Sequence, residues 1–103
     1  GYALVDMFCG HGVGKAFHDA PNVMHIANKG TGPIMEEGMI FTIEPMINIG
    51  RPDGIILQNG WTAVTRDKSL SAQFEHSLAV TKDGYVVFTY SPKGMDKPPY
   101  KID

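Results

Sequence analysis

Residues 39–49 constrain the chain most, because their apolar side chains recur at every second position. Phe41, Ile43, Pro45, Ile47 and Ile49 fall on one side of an extended strand, and Ile40, Thr42, Glu44, Met46 and Asn48 on the other. The first side is predicted to be core, with Glu44 pointing the opposite way. Pro45 keeps Glu44 extended and deletes a ladder donor, which predicts a sheet edge, a bulge or a strand end at this point. Residues 71–81 repeat the pattern, with Phe74, His76, Leu78 and Val80 opposed to Gln73, Glu75, Ser77 and Ala79. Glu75, like Glu44, therefore has an apolar back.

The remaining segments are short. Residues 2–8 read as a strand or as the end of a helix entering one, and residues 61–65 as a short strand. Asp83-Gly84 is a hairpin signal that joins residues 71–81 to a strand over 85–90. Residues 19–22, 27–33 and 50–60 read as turns or loops. No segment has the length and periodicity of an amphipathic helix. These features predict one mostly β, antiparallel unit over residues 1–90, followed by a Pro- and Lys-rich mobile tail over 91–103.

A chain of 103 residues bounds this to one domain or part of one. Hydrophobic residues at 43% and charged residues at 19% describe a globular chain. A formal charge of -2 gives no electrostatic case for nucleic acid or an anionic membrane. No apolar run approaches the roughly 20 residues of a membrane helix and no signal-like start is visible, so a soluble protein is predicted. Cys9 is the single cysteine; it admits no internal disulfide and reads as a packing residue. Gly1 is not a translation start, which predicts a processed chain or one that begins part-way through a gene.

Three residues stand out chemically. The alternating glycines of Cys9-Gly-His-Gly-Val-Gly14 oppose a helix by about 1 kcal/mol each and clear space for a close backbone or ligand. They present His11 from an extended segment. An imidazole and two strand carboxylates, Glu44 and Glu75, supply the donors of a hydrolytic metal site. Singly, each would be a solvated or hydrogen-bonded side chain; together they suggest convergence. His18, seven residues after His11, reads either as a donor to a substrate carbonyl or as a turn-stabilising ring. His25 and His76 are left with structural roles. Met46 and Trp61 suit either an apolar pocket or plain core.

Cys9-Gly-His-Gly-Val-Gly14, Phe17-His18 followed by Pro21, Phe41-Thr-Ile-Glu-Pro-Met46, Trp61-Thr-Ala-Val-Thr65 and Ser71-Ala-Gln-Phe-Glu-His76 occur in this order. Over roughly residues 2–90 the chain resembles the C-terminal part of the type I methionine aminopeptidases. The resemblance implies the α+β pita-bread fold, of which this chain would be a curved antiparallel sheet from the C-terminal half. It implies a site for two divalent metal ions, of cobalt, manganese, iron or zinc, with His11, Glu44 and Glu75 as ligands and Glu75 bridging. His18 would contact substrate during peptide-bond cleavage, and Phe17, Met46 and Trp61 would surround the methionine side chain.

The substrate implied is the N-terminus of a peptide or nascent chain. Two aspartates that complete the ligand set in that family have no counterpart here, since Asp6, Asp19 and Asp53 stand in other contexts. A missing N-terminal half is then the implied partner, and the chain reads as a segment of the enzyme that is inactive alone. A non-catalytic binding module or a self-associating interaction domain is the alternative; retention of His11, Glu44 and Glu75 favours descent from an active enzyme.

Overall fold

A computed structural model describes residues 1–97 of the chain. Every regular element among them is a strand: β1 (Ala3–Leu4), β2 (Gly10–Gly12), β3 (Asp19–Val23), β4 (Ile40–Ile43), β5 (Met46–Asn48), β6 (Gly54–Ile56), β7 (Ala63–Thr65), β8 (Ser71–Gln73), β9 (His76–Thr81) and β10 (Gly84–Val87). They form a five-stranded sheet in the order β10-β9-β4-β2-β3, a three-stranded sheet β1-β5-β8 and a two-stranded β6-β7 ribbon. All pairings are antiparallel. The predicted antiparallel β unit is present, and no helix among the described residues is long and apolar enough to cross a membrane.

The two long strands expected over 39–49 and 71–81 are each broken in the middle. Pro45 has no N–H to offer a ladder, and the chain changes sheet there, β4 belonging to one sheet and β5 to another. The opposite strand breaks at the same level, between Gln73 of β8 and His76 of β9. Ile43 pairs with His76 before the break and Met46 with Gln73 after it. The register is thus carried across the break, and it sets Glu44 opposite Glu75. A single two-stranded ribbon bends from one sheet into the other with a carboxylate on each strand at the bend.

The bend also corrects the expected core. Phe41 is 7% exposed, whereas Ile43 and Ile47 are each 42% exposed and Ile49 59%. Thr42 and Asn48, assigned to the opposite side, are the most buried, at 2% and 1%. Alternation placed the side chains on common faces correctly, since Phe41, Ile43, Pro45, Phe74, Leu78 and Val80 line one apolar concavity of about 840 Å³. That concavity is open, with Ile43 and Phe74 in its lining 42% and 58% exposed. Val5, Phe41 and Leu78 are the only buried apolar side chains among the described residues.

Two segments expected to be loops or turns contain strands. Residues 19–22 fall in β3, where Pro21 is tolerated because β3 is an edge strand. Residues 50–60 contain β6, which pairs Ile55 with Val64. Asn59-Gly60 closes that ribbon: Asn59 Oδ1 accepts the N–H of Trp61 and Thr62, and Gly60 adopts φ 70°. The turn between β9 and β10 is Lys82-Asp83, with Gly84 already paired to Thr81.

Asp67 ties two turns together ahead of β8. Its Oδ2 accepts the Arg51 N–H at 2.8 Å and its Oδ1 the Ser69 N–H at 3.0 Å. These bonds, that from Arg51 first, hold its carboxyl down at about 2. Beyond β10, residues 91–97 make local bonds, with Gly94 N–H donating to Ser91 O and Ser91 N–H to Asp96 Oδ1. The rest of the expected tail, residues 98–103, lies outside the described residues.

Candidate metal centre

The glycine motif acts through its first two glycines. A Cβ on Gly10 would overlap the Thr42 carbonyl oxygen, and one on Gly12 the Ala20 carbonyl oxygen. Only glycine lets β2 lie this close to β4 and β3. Gly14 has room, with Asp19 Oδ2 at 3.8 Å from an added Cβ. Between two glycines that cannot be widened, His11 projects toward the bend of the ribbon.

His11 Nδ1 lies 2.9 Å from the Gly12 carbonyl oxygen, an acceptor only, so Nδ1 carries the proton. Its Nε2 faces Glu44 Oε1 at 3.5 Å, and the side chains are 11% and 14% exposed. A ligand atom from each of His11, Glu44 and Glu75 lies within 4.8 Å of the others. Glu75 is the exposed member of the three.

The donor chemistry fits a cation. In the neutral ring the Nε2 lone pair would face carboxylate oxygen, and Glu44 stands opposite a second carboxylate, both repulsive without positive charge between them. One imidazole nitrogen and two carboxylates suit a hard to borderline divalent metal.

Groups the sequence reading passed over orient this trio. Thr42 Oγ1 accepts the His11 N–H at 3.0 Å and donates to Glu44 Oε1 at 2.7 Å. The signal was available: Thr42 and Glu44 are two apart in a strand and share a face. Gln73 Nε2 reaches Glu44 O and Oε2, each at 3.4 Å. His25, 19 residues away in sequence, accepts the Glu44 N–H at its Nε2 at 2.9 Å. His76 stands outside the trio, with Nδ1 2.9 Å from Thr89 Oγ1 and Nε2 3.9 Å from Asp96 Oδ1.

His18 and Phe17 gather beside His11. Ring centroids are 4.3 Å apart for His11 and His18, 5.8 Å for His11 and Phe17, and 4.7 Å for Phe17 and His18. His11 and His18 line an open concavity of about 520 Å³ with Cys9, Asp19 and Asn22. Cys9 is half-buried there rather than packed into the core. Met46 lines a separate concavity of about 500 Å³ with Val5, Met7 and Phe8. Trp61 is 87% exposed and does not line that space, so the described structure does not bring Met46 and Trp61 together.

An antiparallel β scaffold brings together one histidine and two glutamates as a group that could hold a metal ion. Residues 1–82 match metallopeptidase family M24, and the chain belongs to that family. It is 55% identical over 100 residues to the methionine aminopeptidase of Rickettsia prowazekii, covering 96% of this chain and 39% of that protein. It is 44% identical over 89 residues to the methionine aminopeptidase of Escherichia coli K12, covering 86% of this chain and 34% of the relative.

Solved structures agree. The crystal structure of the Rickettsia prowazekii methionine aminopeptidase superposes with a TM-score of 0.82 at 53% identity, over 84% of this chain and 36% of that one. That from Thermotoga maritima gives a TM-score of 0.82 at 37% identity, over 84% and 35%. The chain shares the pita-bread fold of these enzymes over the part it spans, and it spans little more than a third of their length.

Proposed function

We propose that this chain is the C-terminal segment of a metal-dependent methionine aminopeptidase, which removes N-terminal methionine from nascent proteins in the cytoplasm. The observation that carries the reading is the convergence of His11, Glu44 and Glu75 within 4.8 Å at the bend of one ribbon. Those three would be among the ligands of two divalent ions of cobalt, manganese, iron or zinc. Two further aspartates would come from the portion of the relatives that this chain does not span. When bound, the ions supply Lewis acidity that polarises the scissile carbonyl and activates water.

The side chains around the trio have separable tasks. His11 offers Nε2 because its Nδ1–H is committed to Gly12 O. Glu44 is held toward it by the Thr42 hydroxyl. His18, whose ring centroid lies 4.3 Å from that of His11, would donate an N–H to the substrate carbonyl oxygen as charge develops there. Phe17 at 75% exposed offers apolar surface for the methionine side chain, and Met46 and Trp61 would complete that pocket once the rest of the enzyme is in place.

Cleavage of a Met-Ala-Ser peptide with manganese or cobalt supplied tests the reading. The chain alone should show no turnover. Co-refolding with the complementary N-terminal portion of the Rickettsia prowazekii relative should restore some, and His11→Ala should abolish it. Failure to restore turnover despite a folded complex would sink the proposal, and robust turnover by the chain alone would make it a minimal enzyme instead of a segment.

A further inference from the structure

Glu44 occupies a weak place in the backbone. It follows the last residue of β4 and precedes Pro45, whose nitrogen cannot donate to any ladder. Strand β2 meets β4 through the single pair Gly12–Phe41, and the next N–H of β2, that of His11, goes to the Thr42 side chain instead of a carbonyl. Among the described residues no strand is paired to Glu44 at the bend. Its own N–H would be left without a backbone acceptor at a part-buried position. The His25 ring, half-buried in the bend that follows β3, supplies one: Nε2 lies 2.9 Å from Glu44 N.

We infer that His25 is a positioning residue for the metal-ligating carboxylate of Glu44. An N–H donor requires a lone pair on Nε2, so His25 acts as the neutral ring with its proton on Nδ1. The bond anchors the Glu44 backbone from the β3 side. The Thr42 hydroxyl holds Oε1 at 2.7 Å, and Gln73 lies 3.4 Å from Oε2 across the ribbon. Glu44 is thereby fixed at its backbone and at both carboxylate oxygens before any ion arrives, which lowers the ordering cost of binding. Glu75 is exposed and adapts to the ion; Glu44 is the fixed ligand. The inference rests on the reading of Glu44 as a ligand.

The test uses the metal-free chain first. Nitrogen–nitrogen scalar coupling across the Glu44 N–H···Nε2 His25 bond should be observed, together with slow exchange of the Glu44 amide proton. His25→Ala should abolish the coupling and speed Glu44 exchange, while amides of the β4–β9 ladder stay protected. Calorimetric titration with manganese or cobalt should then show His25→Ala weakened by about five-fold, the worth of one hydrogen bond. His25→Gln, whose amide oxygen reaches the same place, should recover most of that loss and the slow exchange. Absence of the coupling, unchanged Glu44 exchange in His25→Ala, or equal metal affinity in wild type, Ala and Gln variants would each overturn the inference. A wild-type chain that binds no metal overturns the ligand reading, and this is separately recognisable because the coupling is read without metal.

Discussion

Glu44 stands opposite Glu75 in the two-residue gap that interrupts both strands of the β4–β5/β8–β9 ribbon, a gap crossed by one long backbone bond from Phe74 N–H to Pro45 O at 3.4 Å. Like charges opposed across strands destabilise a sheet, and a break in pairing at the same level compounds that cost. The arrangement makes sense when a cation shares the space. His11 reaches that space from a third strand because Gly10 and Gly12 let β2 press against the backbone of its neighbours. Fold and site are therefore coupled through backbone packing, and their variants should separate into those that move the frame and those that only change the donors.

Thr42→Val keeps the shape of a 2%-exposed side chain and removes its hydroxyl. The His11 N–H loses its acceptor and Glu44 Oε1 its donor. A part-buried donor left unpaired costs about 1–3 kcal/mol. Urea denaturation should show a loss in that range, and calorimetry a weaker affinity for manganese or cobalt. Thr42→Ser, which keeps the hydroxyl, should preserve most of that affinity.

Gly10→Ala and Gly12→Ala place a methyl group on a backbone carbonyl of the adjacent strand, which cannot move without opening the sheet. Overpacking of this kind costs about 1–3 kcal/mol or more. Gly14→Ala meets only Asp19 Oδ2 at 3.8 Å and should be neutral or slightly stabilising. Thermal unfolding of the three variants side by side should give a large loss for the first two and none for the third.

Much of this was legible in local pattern. Alternation put Phe41, Ile43, Leu78 and Val80 on one face, and Gly10, His11 and Gly12 on an extended segment. Alternation could not say which face is covered, because that depends on what packs against the sheet from elsewhere. It therefore gave Ile47 to the core face and Asn48 to the opposite one, whereas Ile47 is 42% exposed and Asn48 1%. Pro45 announced a break, yet only long-range pairing reveals that the opposite strand breaks at Glu75 as well. The contact of His25 with Glu44 spans 19 residues and leaves no local trace.

Acid should loosen the turns ahead of β8. The Asp67 carboxyl is held at about 2 against an ordinary 3.8, so the unfolded chain takes up its proton first as pH falls. The stabilisation is complete above pH 3.8 and disappears as pH drops through about 2. Asp67→Asn should lower stability at neutral pH and flatten its dependence between pH 4 and 2, measured by urea midpoints across that range. An unchanged slope would remove Asp67 from the acid response.

Glu75→Gln should act with opposite signs in the absence and presence of metal. In the metal-free chain it removes a negative charge facing Glu44, so the folded state should gain slightly, by less than about 1 kcal/mol. With manganese or cobalt at a hundred times the dissociation constant, the wild-type chain should gain about 2.7 kcal/mol from binding, a rise in Tm that a chelator reverses. The variant should lose most of that gain, because an amide oxygen carries no charge for the ion. Thermal scans of both proteins with and without metal give the four values. A variant that is less stable without metal, or that keeps the full metal-induced rise, would show that the two opposed carboxylates do not share a cation.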